Sequence, residues 1–129
     1  MNSFKNYITL YESKDIIDKF VNFCNKCLEI KKPYDLGFVE EPDEQMTTGC
    51  FNPVTREIKI MAGERAIIDI LRSIAHELVH ARQHEQGRLS PGCGDDGSPI
   101  ENEANSLAGV IMRQFQRDNR DIYKMVKGI

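Results

Sequence analysis

No stretch of this 129-residue chain approaches the roughly 18 consecutive apolar residues that a membrane-spanning helix requires. The membrane is therefore not an expected partner. The opening Met1-Asn2-Ser3-Phe4-Lys5-Asn6 lacks the basic-then-apolar order of a secretory signal, so the expected location is the cytoplasm. There is also no block of five like charges, and 17 Lys plus Arg stand against 20 Asp plus Glu, a formal net charge of −3. That balance argues against a nucleic-acid partner. Repeats, low-complexity tracts and linkers are missing as well. Residues 1–129 read as one domain, long enough to bury a core.

Cysteine is sparse in the wrong way for a zinc ribbon. Cys24 and Cys27 make one C-x-x-C, but Cys50 and Cys93 stand alone, and the pair follows a helical pattern rather than the strand of a thioredoxin-like site. The expectation is four reduced thiols, with Cys24 and Cys27 on an apolar stripe.

That stripe belongs to a helix from Ser13, its expected cap, in which Ile17, Phe20, Val21, Cys24, Cys27 and Leu28 recur at helical spacing and Pro33 sets the end. Leu36 to Val39 reads as a short strand, and the acidic segment Glu40 to Glu44 as a loop. Met46 to Phe51 and Glu57 to Met61 flank the turn signal Asn52-Pro53 and read as a hairpin, giving a sheet of about three strands. A second helix is expected from Gly63 or Glu64 to about Gln86, stopped by Gly87. A glycine-rich loop follows. Ser98-Pro99 then opens a third helix running to about Arg117, with a last short one over Asp121 to Val126. The expected fold is α+β: a small antiparallel or mixed sheet packed on the second helix, with the third completing it.

The second helix contains His76-Glu77-Leu78-Val79-His80, an H-E-x-x-H. At about 100° per residue the two imidazoles are roughly 40° apart and one turn apart along the axis, so both can grip one ion from the same side. Zn²⁺ is the expected cofactor. Glu77 points beside that ion rather than at it, where a carboxylate can take a proton from water attacking a carbonyl and pass it to a departing amine. Two histidines alone do not make a catalytic zinc site. The metzincin third histidine is excluded, because Gln83 and Gln86 occupy the positions where its Gly and His would fall. His84 lies about 80° round from His76 and reads better as a cleft residue than as a ligand.

The third candidate lies in Glu101-Asn102-Glu103-Ala104-Asn105, an E-x-x-A-N at the start of the third helix. Together with the H-E-x-x-H this resembles the gluzincins, zinc peptidases such as thermolysin. It is similar above all to the E-x-x-A-D or E-x-x-A-N version found in CAAX-type membrane proteases and soluble ImmA/IrrE-type peptidases. The resemblance covers Ile60 to Met112, about two fifths of the chain. It implies a minimal zincin-like domain in which Glu101 is the third zinc ligand and Asn105 hydrogen-bonds a ligand histidine. Ser98-x-x-Glu101 is also a capping box, which would turn Glu101 back to the Ser98 amide and leave Glu103 as the alternative ligand.

The expected function is zinc-dependent hydrolysis of peptide bonds, with Glu77 as general base and a peptide or protein as substrate. The sheet edge, Met46 to Phe51 or Glu57 to Met61, is the expected cleft wall. Tyr123, Arg82, His84 and Arg113 are candidate donors to the reacting group. The alternative is a zincin-fold structural or assembly subunit of a larger complex, such as a viral particle, whose zinc stabilises the domain.

Overall fold

The computed structural model describes residues 14–41, 48–89 and 98–120. Ser13, Met46, the centre of the glycine-rich loop with Cys93, Tyr123 and the segment 121–126 lie outside the described residues. The described elements are α1 (Lys14–Leu28), β1 (Asp35–Val39), β2 (Gly49–Phe51), β3 (Glu57–Met61), α2 (Ile67–Glu85) and α3 (Pro99–Asp118). They form the expected small α+β arrangement.

The sheet is mixed, with strand order β1-β3-β2. β2 and β3 make the antiparallel hairpin, with Gly49 opposite Ile60 and Phe51 opposite Ile58, while β1 runs parallel to β3. Asn52 shapes the turn, its Oδ1 accepting from the Val54 and Thr55 amides at 2.8 and 3.2 Å, an Asx turn. Alternation along β3 sends Ile58 and Ile60 fully inward, where they join the core under α2. On the other side of α2 lie α1 and α3, joined by Phe20 against Phe115 in an edge-to-face pair with centroids 4.9 Å apart.

Two element ends and one side chain differ from expectation. α1 stops at Leu28, well before Pro33, because Glu29 takes a left-handed φ of 52° and the Ile30 amide folds back to the Asn25 carbonyl. α2 begins at Ile67 rather than Gly63 or Glu64. Gly63 passes so close to the Glu40 carbonyl that a Cβ would collide with it, and Glu64 turns through a φ of 53° before the helix can start. The Arg65 guanidinium closes that corner, donating to the Met61 carbonyl at 2.7 Å and the Ser73 hydroxyl at 2.8 Å. Cys27 is the third correction. Cys24 is fully buried, but Cys27 lies about 60° round the helix at the margin of the stripe and is exposed. No disulfide forms among the described cysteines.

The other ends follow the sequence signals. Gly87, at φ 71°, donates to the His84 carbonyl while the Arg88 amide reaches the Gln83 carbonyl, which terminates α2 in a Schellman arrangement. Ser98 caps α3, its hydroxyl accepting from the Glu101 amide at 3.2 Å with Pro99 in the first turn. Ala104 and Ala108 are buried in the seam between α2 and α3, so the two helices come close enough for their side chains to meet across it.

Candidate metal centre

Two helices build the centre. α2 presents His76 and His80 one turn apart, and the first turn of α3 presents Glu101 beside them. His76 Nε2 lies 3.0 Å from Glu101 Oε1, His80 Nε2 lies 2.7 Å from Glu101 Oε2, and the two Nε2 atoms are 3.2 Å apart. One ligand atom from each residue falls within 4.8 Å of the others, a group that could hold a metal ion. Corners of a tetrahedron whose bonds are about 2.0 to 2.1 Å are roughly 3.3 Å apart, close to these separations. The Glu101 carboxylate is paired with the two imidazoles and, among the described residues, with no lysine or arginine that would compete with a cation.

The Ser98 cap and the placement of Glu101 against the histidines are compatible. Its backbone amide takes the Ser98 hydroxyl while its carboxylate goes to the histidines. Glu103, the alternative, points elsewhere: Arg88 grips it through Nη1 and Nη2 at 2.8 and 3.0 Å. Asn105 follows Glu101 by one turn of α3, near enough to His76 to favour its charged form. Burial and then the neighbouring His80 hold His76 below its ordinary pKa, against the opposing pull of Glu101 and Asn105.

Glu77 is 6% exposed, and among the described residues its carboxylate has no hydrogen-bond partner. β2 covers it, since a Cβ on Gly49 would sit 3.3 Å from Glu77 Cγ. Burial, followed by the charge of Glu101, pushes its pKa up to about 8. Among the described residues it belongs to no ligand group.

In the sequence Gln83 stands out only as the residue that breaks the metzincin pattern. It is fully buried, with Oε1 2.8 Å from His80 Nδ1 and Nε2 donating to the Ile100 carbonyl at 3.1 Å and to Glu103 Oε1 at 2.9 Å. Its one local signal is position: three residues after His80, it shares that histidine's helix face.

The other candidate donors are not gathered at the centre. His84 lies outside the ligand group; its Nδ1 accepts from Arg56 Nη1 at 2.8 Å and its ring leans on Phe51 with centroids 5.7 Å apart. Since a guanidinium can only donate, that bond fixes His84 with its proton on Nε2. It stands two turns beyond Glu77 on the side of α2 that faces β2. Arg82 is half-buried and contributes a positive field at Glu103, and Arg113 is exposed. No helix among the described residues is long and apolar enough to cross a membrane. No protein-family model, curated protein or solved structure matches the chain.

Proposed function

We propose that this chain is a gluzincin-type zinc metallopeptidase that hydrolyses peptide bonds, with His76, His80 and Glu101 as zinc ligands and Glu77 as general base. The observation that carries the reading is Glu77: a buried carboxylate without a hydrogen-bond partner among the described residues, next to a His-His-Glu group it does not join. Burying an unpartnered carboxyl is unfavourable and serves no packing purpose. A structural zinc site closes its coordination with four protein ligands and has no use for a base. Three ligands with an open fourth position is the catalytic pattern.

Zinc in such a site supplies Lewis acidity, activating water and polarising a carbonyl. The chain supplies the rest. Asn105 and Glu101 orient His76, and Glu77 takes the proton of the attacking water and returns it to the leaving amine. A dication beside Glu77 draws its raised pKa back down, so the carboxylate form that accepts the proton is favoured only in the loaded protein. The substrate is a peptide or protein segment laid in extended form along β2, the strand that covers Glu77.

The test compares wild type, His80→Ala and Glu77→Gln for zinc content, thermal midpoint and cleavage of a broad peptide library. His80→Ala is expected to lose stoichiometric zinc. Glu77→Gln is expected to keep zinc and fold while cleavage falls by roughly 10²- to 10⁴-fold. A zinc-loaded wild type that cuts nothing, with Glu77→Gln altering only assembly with other proteins, would replace the peptidase by the structural subunit.

A further inference from the structure

We infer that Gln83 is the positioning residue of this centre, fixing His80 in the tautomer that turns Nε2 to the metal and docking the helical turn that carries Glu101. The inference rests on His76, His80 and Glu101 forming a metal site.

The orientation of the Gln83 amide is forced. A carboxamide offers a two-hydrogen donor at one end and an acceptor at the other. Its nitrogen lies between the Ile100 carbonyl at 3.1 Å and the Glu103 carboxylate at 2.9 Å, both of which only accept. A flipped amide would set its oxygen against two acceptors at once, in a fully buried place. Oε1 must therefore face His80, and at 2.8 Å it can only receive a proton from Nδ1. With Nδ1 committed as a donor, the lone pair of neutral His80 is on Nε2, the atom 2.7 Å from Glu101 and 3.2 Å from His76.

The same side chain holds the other half of the site. Ile100 and Glu103 flank Glu101 in sequence, so the two bonds from Gln83 Nε2 tie down the turn of α3 from which that ligand projects. Arg88 holds Glu103 in its turn through two bonds, which keeps the carboxylate aimed at the amide. One buried glutamine thus bears on two of the three ligands. Partners of this kind to a metal-bound histidine are commonly worth roughly 10- to 100-fold in metal affinity.

The experiment uses Gln83→Leu, Glu103→Ala and the exchange Gln83→Glu/Glu103→Gln, with zinc affinity measured by chelator competition and imidazole protonation by nitrogen-15 spectra. In wild type, zinc-free or loaded, His80 is expected to carry a proton on Nδ1. Gln83→Leu is expected to bind zinc roughly 10- to 100-fold more weakly and to show mixed His80 tautomers. Glu103→Ala, on a partly exposed side chain, should shift both readouts in the same direction by less. The exchange returns an acceptor to His80 at unchanged net charge, with the new amide at position 103 as the donor to it, but sets an oxygen against the Ile100 carbonyl, so it should recover part of the affinity lost in Gln83→Leu. A wild-type His80 without a proton on Nδ1 overturns the inference, even if Gln83→Leu fails to fold. So does a folded Gln83→Leu with wild-type affinity. A wild type that holds His80 with Nδ1 protonated but binds no zinc would instead overturn the proposed function.

Discussion

Glu101 and Glu103 leave the same turn of α3, yet one faces two imidazoles and the other a guanidinium. Their replacements should therefore separate. Glu101→Ala is expected to abolish stoichiometric zinc by elemental analysis, whereas Glu103→Ala should remain loaded at saturating zinc. Equal loss in both would mean that Glu103 supports the turn as strongly as Glu101 ligates. The gathering of His76, His80 and Glu101, with Glu77 beside them, was legible in the sequence because it follows from spacing along a helix or from a short motif. Gln83 was not, because its meaning depends on Ile100 and Glu103, 17 and 20 residues downstream, arriving at its amide. Periodicity carries no information about which acceptor a docked helix will bring. Cys27 failed for a related reason: its place at the margin of the stripe left burial to be decided by what packs against that side of α1.

The elements were legible where a local signal fixed them and not where a distant contact did. The Ser98-Pro99 start and the Gly87 stop stand where the sequence put them. The start of α2 does not, because it is set by the Glu40 carbonyl packed on Gly63. Gly63→Ala is accordingly expected to destabilise the fold toward the upper end of roughly 1 to 3 kcal/mol in denaturant titration, since backbone has to move to admit the methyl. The end of α2 is held by a latch that no motif announces. Arg56, in a left-handed φ of 60° at the hairpin, donates to the Pro33 carbonyl, to His84 and to Glu85, while Glu85 accepts from the Lys31 and Lys32 amides. Burial raises the Glu85 carboxyl, but those two amides and Arg56 together hold it below the usual carboxylate range. A depressed folded pKa contributes stability that is complete above the unfolded value of about 4.3 and is lost as pH falls through the folded one. Between pH 7 and pH 3 the thermal midpoint of Glu85→Gln should therefore fall less than that of wild type.

Across the molecule, the core and the candidate centre share α2 and α3, so the proposed metal binding would be linked to folding. Phe115, fully buried between Phe20 and Phe23, joins α1 to this pair. Phe115→Ala should cost about 3 to 5 kcal/mol. Because the ligands come from separate helices and meet only in the folded chain, zinc at a hundred times its Kd should return about 2.7 kcal/mol of that loss, read as a thermal midpoint that climbs with free zinc. A midpoint indifferent to zinc would mean the ion binds the unfolded chain equally well.

Selection for heat resistance alone would treat Gln83 and Glu77, two buried polar residues of this centre, in opposite ways. Gln83 has both ends of its amide answered, so exchanging it for an apolar residue strands the buried His80 Nδ1 proton and takes one donor from the Ile100 carbonyl and from Glu103. Glu77 has no hydrogen-bond partner to strand among the described residues, and Glu77→Leu should raise the midpoint of the zinc-free protein while ending the proposed cleavage. A library of variants propagated only for survival on heating would thus discard Glu77 early and keep Gln83. Adding a requirement for cleavage should restore Glu77 at once.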